Sequence, residues 1–563
     1  MSKLDIITSI IKESEAYSSM SLIEAYIERG VDLSMLPAQP LYLCLKSMPV
    51  AKVSKYLSHF SPEQRKVFYN LDLWSKDFVN PTQFEFWLKA NTHLQDDALK
   101  SEFVLSEEFS MFLKSRFNVW TFDVEDPQYP DHDNYFLTDD NLLLFEFEEN
   151  YEHAEDAKEL IKHLYYTLGV DDAYSYLFKL VQDSYSNVQE DAYQNKKELL
   201  RDYGFVDYYE ALALVSPFPN LAVLENYIKK KAAHTGEIDI VGKKQALHNK
   251  SLISFKDKMD FLRDDLQKIA DEKRQDFLQF NFIQLVNGTF ALKDSLQAGP
   301  VAMTKTGEVT RKTLELGYGY VKNIASFEGS IFEKFEFVDL YRIGHSLIHF
   351  VQKDIKKCLE ANGVESDQEE AFLGAYWMEF LDLSFEDFPK VIEVAAEKPN
   401  DIRKIEQLVL WRERSKTFTS LLPFIKKFHE TFEGLKEEGV VQDNYYMNYS
   451  VEEIDFEAIL LSSLANFHLG NFAGGQAKKL GLSLDELKKF AQDFLNNDVL
   501  NNSEVVALSI EKFISSFGLD GVPELNTYIL QLLKSHLEGY DYENLADEDF
   551  KHVGGPIILT LFQ

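Results

Sequence analysis

The amino-acid sequence predicts a mainly α-helical protein, and three observations lead to this class. Apolar residues recur at helical spacing along most of the chain, and a strong helix-start signal stands at Ser61-Pro62-Glu63-Gln64. The 563 residues include only 15 Pro and 25 Gly, fewer than the turns of an all-β protein would use. We therefore predict a multi-domain scaffold of helical hairpins, solenoid-like in its stacking, with one small acidic β-hairpin insertion.

The stretch Leu36–Pro81 carries the clearest helix signals. Pro49 disfavours helical geometry at the preceding residue and should end a first helix at Met48. Ser61 suits the N-cap of a later helix, and Gln64 stands where a capping box needs Glu or Gln. The predicted buried face of the second helix consists of Val50, Val53, Tyr56, Leu57 and Phe60. That of the third helix consists of Val67, Phe68, Leu71 and Trp74. Such a hairpin needs neighbouring helices to cover its apolar face.

The order of signals in Leu36–Pro81 resembles a known helical hairpin. The order is similar to that in the intracellular N-terminal domain of MgtE-type magnesium transporters. It consists of a leucine-rich helix, the pair Met48-Pro49, a second helix and then SPEQR. That domain is similar to the middle domain of flagellar motor switch proteins. The resemblance implies no transport role here, because the chain has no membrane helices of the transporter kind.

The whole chain also resembles an uncharacterised bacterial family of domains of unknown function. The segments that carry this resemblance are Leu36–Asp77, LRDYGFVDYYEAL at Leu200–Leu212, FVDLYRIGHSL at Phe337–Leu347 and VGGPIILTLF at Val553–Phe562. The resemblance implies a bacterial cytoplasmic protein and brings no assigned activity with it.

Charge and composition narrow the possible partners and the compartment. The formal net charge of −35 repels phosphate backbones and anionic membranes, so we expect no nucleic-acid binding and no membrane docking. No apolar stretch reaches the roughly 18 residues of a membrane span, and the N-terminus has charges inside its apolar run, unlike a signal peptide. Cys44 and Cys358 lie far apart in apolar contexts, which fits a reducing, cytoplasmic compartment.

Changes in pattern divide the chain into four predicted regions. These are an N-terminal helical-hairpin domain (1–120), an acidic loop and β-hairpin (121–153), a second helical domain that ends in a basic linker (154–250), and a C-terminal helical domain (251–563). From Phe117 to Ala157 there are 13 Asp or Glu and no Lys or Arg. Asp139-Asp140-Asn141 is the predicted turn of the hairpin. The longest uninterrupted helical pattern runs over 256–297, and VGGPIILTLF is a predicted buried terminal strand or extended packing segment.

Three sets of residues are weak candidates for sites. His345 and His349 have the i, i+4 spacing of a zinc pair, with Arg342 nearby for an anion, but no third ligand is recognisable and hydrogen-bonded histidines are favoured. Gly474 and Gly475 before Lys478 resemble a phosphate-binding turn, but the segment lacks the GK[ST] ending, and a helix-connecting turn is favoured.

The third set is the acidic segment Asp123–Glu149, which could bind calcium or a basic partner. It lacks the glycine of an EF-hand, since Phe136 stands at the sixth position counted from Asp131, and a solvated face is favoured. No catalytic residues are predicted, because no Ser-His-Asp or Cys-His grouping can be placed in the sequence.

The sequence therefore favours a cytoplasmic protein-interaction scaffold or adaptor without intrinsic catalysis, with a protein partner and no cofactor. The first alternative is an enzyme or a small-molecule or metal sensor with a pocket between helical domains. The second alternative is a component of a motility or envelope-associated apparatus, which rests on the resemblance of Leu36–Pro81 alone.

Overall fold

The computed structural model confirms a mainly helical protein. It describes residues 26–35, 38–182, 185–233, 260–364, 372–393, 398–437, 450, 453–473, 476–477, 481–496, 499–501, 504–516, 518, 520, 525–539, 542 and 556–560. The chain divides into two compact units, Met1–His345 and Ser346–Gln563. The division into four regions by composition stays a prediction. None of the described helices combines the length and apolar character needed to cross a membrane.

From residue 38 onward, the first unit has six short helices in succession. They are α1 (Ala38–Lys46), α2 (Val50–Tyr56), α3 (Pro62–Leu73), α4 (Pro81–Thr92), α5 (Asp97–Val104) and α6 (Glu107–Arg116). A 3-10 turn at Leu57–His59 extends α2. Two short strands, β1 (Trp74–Ser75) and β2 (Phe78–Val79), pair antiparallel between α3 and α4.

The predicted capping box at the start of α3 is confirmed. The backbone N–H of Gln64 donates to Ser61 Oγ (3.2 Å), and the Ser61 N–H donates to Gln64 Oε1 (2.9 Å). Helix α1 ends at Lys46, two residues before the predicted end at Met48, and Pro49 is the N-cap of α2. Aromatic side chains then fill the core around this hairpin, and Phe68, Phe84, Trp87 and Phe103 are all buried.

A three-stranded antiparallel sheet follows, with β3 (Asn118–Thr121), β4 (Tyr135–Leu137) and β5 (Leu143–Glu146) in the order β3-β5-β4. The predicted hairpin is confirmed as β4–β5, and Asn141 in its turn has a φ of 57°. Strand β3, which the sequence did not predict, pairs with the other edge of β5.

Eight further helices follow in the described part of the first unit. They are α7 (Ala154–Leu168), α8 (Val170–Gln182), α9 (Tyr185–Asp202), α10 (Tyr208–Val215), α11 (Leu221–Ala233), α12 (Asp260–Gln267), α13 (Glu272–Leu292) and α14 (Pro300–Ile324). Helix α15 (Phe337–Asn362) contains the boundary between the units. The prediction of one uninterrupted helix over 256–297 is wrong, because α12 ends at Gln267 and Asp271 caps α13 by accepting from the N–H of Lys273 (3.0 Å).

Two glycines let α14 and α15 approach closely within the first unit. A Cβ placed on Gly317 would lie 1.9 Å from the carbonyl oxygen of Leu340, and one on Gly344 would lie 2.1 Å from that of Thr313. Only hydrogen therefore fits at these two positions, and the helix backbones touch directly.

The second unit is also mainly helical. Its helices after α15 are α16 (Ala375–Phe385), α17 (Ile405–Glu437), α18 (Phe456–His468), α19 (Leu484–Phe494), α20 (Glu504–Ser516) and α21 (Leu525–Leu537). Three two-stranded antiparallel pairs are β6 (Lys390–Val391) with β7 (Asn400–Asp401), β8 (Phe472–Ala473) with β9 (Gln476–Ala477), and β10 (Leu495–Asn496) with β11 (Val499–Leu500).

The C-terminal segment packs in the core of this unit as an extended chain. The Leu482 N–H donates to Ile558 O (2.8 Å), and the Thr560 N–H donates to Leu482 O (2.9 Å). Ile557, Ile558 and Leu559 are fully buried. The prediction of a buried terminal strand or packing segment is therefore confirmed for residues 556–560, and the rest of VGGPIILTLF lies outside the described residues.

A buried carboxyl group lies at the start of α18. Glu457 is 2% exposed, and its Oε1 accepts a hydrogen bond from the Tyr376 N–H (2.9 Å). Gly374 has a φ of +86°, and a Cβ there would lie 2.6 Å from Glu457 Cγ. Burial, with a smaller contribution from the charge of Asp455, raises the pKa of Glu457 to about 7.

We expect Glu457→Gln to stabilise the protein more at pH 8 than at pH 5. The ordinary pKa of 4.5 applies to the unfolded chain and a value of about 7 to the folded one, so stability falls as pH rises between these values. The shift corresponds to about 3 kcal/mol. In urea unfolding, the gain from the glutamine should therefore be about 2–3 kcal/mol larger at pH 8. Equal effects at both pH values, or the same pattern in the exposed control Glu379→Gln, would contradict this assignment.

Candidate functional site

Two adjoining cavities in the first unit form the candidate site. The smaller cavity, of about 90 Å³, lies between the β1–β2 hairpin, α9, the start of α10 and the end of α13. The larger cavity, of about 260 Å³, lies between α3, α6 and α9. Both cavities are lined by Asn70, Trp74 and Lys196, so these three side chains lie where the two spaces adjoin.

Lys196 is the central residue of this site. It projects from α9, is only 9% exposed, and its Nζ donates a hydrogen bond to the backbone carbonyl of Lys76 (3.0 Å). The ammonium also lies 5.4 Å from the ring centre of Trp74 and 4.8 Å from that of Tyr193. Burial lowers the pKa of Lys196 to about 8. Within the described part of the chain, no carboxylate forms an ion pair with this lysine.

The nearby carboxylates are engaged with other groups. The hydroxyl of Tyr193 donates to Asp207, which also caps α10 by accepting from the Tyr209 N–H (3.2 Å). The Tyr209 hydroxyl donates to Asp77 Oδ2 (3.2 Å). These bonds fix the wall of the smaller cavity, and the charges of Asp207 and Asp77 only partly offset the cost of burying the Lys196 ammonium.

The backbone at the rim of the smaller cavity is strained. Four non-glycine residues among those described have positive φ, and two of them, Lys76 (60°) and Asp294 (48°), line this cavity. Lys76 lies in the tight turn between β1 and β2, where Gly or Asn is usual. Strained positions of this kind concentrate at binding and catalytic sites, which supports a functional interpretation of the cavity.

The larger cavity contains a buried carboxyl group. Glu108 on α6 is 8% exposed, and its Oε1 accepts a hydrogen bond from the side-chain amide of Asn70 (2.6 Å). Its Oε2 is buried and has no hydrogen-bond partner among the described residues. Burial raises the pKa of Glu108. Leu73 and Met111 add apolar surface to the same cavity.

The arrangement is suited to binding. A buried amine and a buried carboxyl group line a common space, and they form no ion pair with each other among the described residues. Lys66 and Glu107 also line this cavity, and the charge of Lys66 partly offsets the burial of Glu108. No group of three or more His, Cys, Asp or Glu in the described ranges could hold a metal ion. The site therefore offers complementary charges to a small polar molecule.

The structure places the weak candidates elsewhere. Arg342 Nε donates to the Ser216 carbonyl (2.5 Å), and its guanidinium lies 4.3 Å from the Phe218 ring centre. His345 Nδ1 donates to the Val215 carbonyl (2.9 Å). Both side chains thus bind carbonyls at the C-terminal end of α10, where a cation is favoured.

His349 does not line either of the two cavities. His349 follows on α15, and burial, together with the charges of Lys353 and Lys356, lowers its pKa. Gly474, Gly475 and Lys478 lie outside the described residues.

Sequence reasoning missed both Lys196 and Glu108, although each stands on an apolar helix face. Lys196 follows Ala192 and Tyr193 at helical spacing, and Glu108 precedes Met111 and Phe112 in the same way. The sequence signal that could have found both residues is a charged side chain at a helix position where the spacing predicts a core residue.

These features define a class: a mainly helical protein with a lysine-centred polar cavity in its first unit. The chain belongs to the DUF6178 family of unknown function, whose family model matches residues 8–553. A search of curated proteins and a search of solved structures each found no match. The resemblance of the whole chain to an uncharacterised family is thus confirmed, and the local resemblance of Leu36–Pro81 to MgtE-type and motor-switch hairpins stays a prediction.

Proposed function

We propose that this protein binds a small metabolite that carries an anionic group in the paired cavities around Lys196 and acts as a sensor or carrier of that molecule. The observation that carries the proposal is the burial of the Lys196 ammonium without an ion pair, beside a cavity. Burying an unpaired charge costs free energy, and an anionic ligand would supply the missing partner. Asp207 supports this, because it accepts hydrogen bonds from the Tyr193 hydroxyl and from the Tyr209 N–H and not from Lys196.

The ligand in this proposal is small. The larger cavity, of about 260 Å³, is slightly below the ~300–1,000 Å³ of sites for drug-sized molecules. We propose that this binding takes place in the cytoplasm. The free thiols of Cys44 and Cys358 support this compartment, because thiols stay reduced there.

The experiment is a thermal-shift and calorimetric titration of the full chain with acetate, succinate, glycine, alanine and inorganic phosphate. We expect at least one of these anion-bearing molecules to raise the melting temperature of the wild type and to lose its effect in Lys196→Met. The control is Lys179→Met, which removes an exposed lysine from the neighbouring helix α8 and should bind as the wild type does. Absence of any shift, or equal binding by Lys196→Met, would overturn the proposal.

Lys196→Met should also stabilise the unliganded protein at pH 7. The pKa of Lys196 is about 8 in the folded protein and 10.5 in the unfolded chain. Keeping the buried amine protonated therefore lowers the free energy of unfolding by its full amount below pH 8, and this loss disappears above pH 10.5. The shift corresponds to about 3 kcal/mol, from which the lost hydrogen bond to Lys76 subtracts about 1 kcal/mol. Urea unfolding should show a gain of about 2 kcal/mol at pH 7 and a smaller one at pH 10. A loss of stability at pH 7 would contradict this prediction.

A second candidate function is that of a protein-interaction scaffold, and one surface favours it. Four large apolar side chains are exposed on strand β3 and in the acidic segment that follows it: Trp120, Val124, Tyr129 and Leu142. Exposed apolar groups among like charges are typical of sites that bind proteins. The test is sedimentation and affinity capture with the wild type and with Trp120→Ser/Tyr129→Ser. A stoichiometric partner that the variant loses would support a scaffold, and capture unaffected by the variant would exclude this surface.

A further inference from the structure

We infer that the ligand is a zwitterion, an amino acid or a closely similar molecule, whose ammonium binds Glu108 and whose carboxylate binds Lys196. This inference rests on the proposed function and names the class of molecule that the site would hold. It depends on the larger cavity, where both side chains form part of the lining.

The first step is the state of Glu108. Its Oε2 is buried without a hydrogen-bond partner among the described residues, although its Oε1 accepts from Asn70. The amide of Asn70 also donates to the Lys66 carbonyl (3.0 Å), which fixes the orientation of the amide and of the carboxyl group that it binds. A buried oxygen left without a donor costs free energy, and a ligand ammonium brings up to three donors.

The second step is the relation between the two charged groups. Lys196 and Glu108 lie in the lining of one cavity but do not pair with each other. The Lys196 ammonium donates to the Lys76 carbonyl, and Glu108 accepts from Asn70. An anion alone would leave Glu108 unsatisfied and would face its negative charge. A cation alone would face the Lys196 ammonium. A molecule that carries both charges satisfies both side chains at once and enters the cavity with no net charge.

The third step is the remaining lining. Leu73 and Met111 supply apolar surface, so a short aliphatic chain between or beside the two charged groups would be in contact with carbon rather than with water. The volume of about 260 Å³ suits a molecule of this size.

The experiment titrates the full-length protein by calorimetry with alanine and γ-aminobutyrate, which carry both charges at different separations, and with propionate and propylamine, which carry one each. We expect the better of the two zwitterions to bind at least tenfold more tightly than either single-charge molecule. Glu108→Gln keeps the shape of the side chain and should lower zwitterion affinity at least tenfold. Propionate affinity should stay the same or rise, because the variant no longer presents a negative charge to the anion. Lys196→Met should weaken both.

The control for the glutamate is Glu198→Gln, which changes an exposed carboxylate on α9 outside both cavities. It should bind as the wild type does. If propionate binds as tightly as the zwitterions and Glu108→Gln has no effect, the zwitterion inference fails and the proposed anion site stands. If neither these four molecules nor the anions of the thermal-shift panel bind the wild type, both fail. The comparison of ligands on the wild type decides the inference even if Glu108→Gln does not fold.

Discussion

Gly344→Ala is expected to destabilise the first unit by more than about 3 kcal/mol, or to prevent its folding. The new Cβ would lie 2.1 Å from the carbonyl oxygen of Thr313 and 3.1 Å from the backbone nitrogen of Gly317. These are backbone atoms of α14, which cannot rotate away as a flexible side chain can. The two helices would have to separate, and the apolar contacts on both sides of the crossing would loosen. Gly317→Ala should have a similar effect, because its Cβ would lie 1.9 Å from Leu340 O.

The same helix offers a matched control. Gly319 is also on α14, and a Cβ placed there meets no atom within 4 Å. Gly319→Ala should therefore stabilise the protein by about 0.5–1 kcal/mol, because alanine has the higher helix propensity. Urea unfolding of the three variants measures the effects. If Gly344→Ala and Gly317→Ala unfold within about 1 kcal/mol of the wild type, the helices do not approach as closely as described.

Asp72→Ala is expected to cost about 3–5 kcal/mol of stability. The carboxylate of Asp72 is fully buried beside the hairpin of α3 and α4. It accepts hydrogen bonds from the hydroxyl of Tyr42 (2.5 Å) and from Trp87 Nε1 (2.6 Å), and it forms an ion pair with Lys46 Nζ (2.9 Å). Burial raises the pKa of Asp72, and Lys46 and the two hydrogen bonds oppose that rise. Alanine would leave two buried donors, the Tyr42 hydroxyl and Trp87 Nε1, without an acceptor, and would remove the ion-pair partner of the partly exposed Lys46.

A double-mutant cycle separates the causes of this loss. Tyr42→Phe and Trp87→Phe each remove one donor and should each cost less than Asp72→Ala. The double variant Asp72→Ala/Trp87→Phe should lose less stability than the two single variants lose in sum, because it has no indole N–H that could be left without an acceptor. Unfolding is measured by urea titration, followed by circular dichroism because two variants lack Trp87. Strict additivity of the two changes would show that Asp72 and Trp87 do not interact.

The helices were predictable because their causes are local. The spacing of Val67, Phe68 and Leu71 and the pair Ser61–Gln64 determine α3 through neighbours in the sequence, and the structure has both the buried face and the capping box. The β4–β5 hairpin was predictable for the same reason, since its turn joins adjacent strands. Strand β3 was not, because its partner β5 follows only after the whole loop and β4.

The candidate site was not predictable because its causes are distant in sequence. Lys196 binds the carbonyl of Lys76, and the residues that bury it come from four separate helices and a hairpin. The spacing of Lys196 and Glu108 could have placed each on an apolar helix face, but nothing local shows that the two side chains line one cavity. The carbonyl partners of Arg342 and His345 likewise belong to α10, far earlier in the chain.

The most direct test of the ligand-binding account is a crystal structure of the protein grown with the tightest-binding of alanine and γ-aminobutyrate, compared with Lys196→Met treated identically. The account predicts ligand density in the larger cavity of the wild type, with a carboxylate within hydrogen-bonding distance of Lys196 Nζ, and its loss in the variant. Water alone in both cavities of a protein that calorimetry shows to be saturated, or the ligand bound at another place, would contradict it.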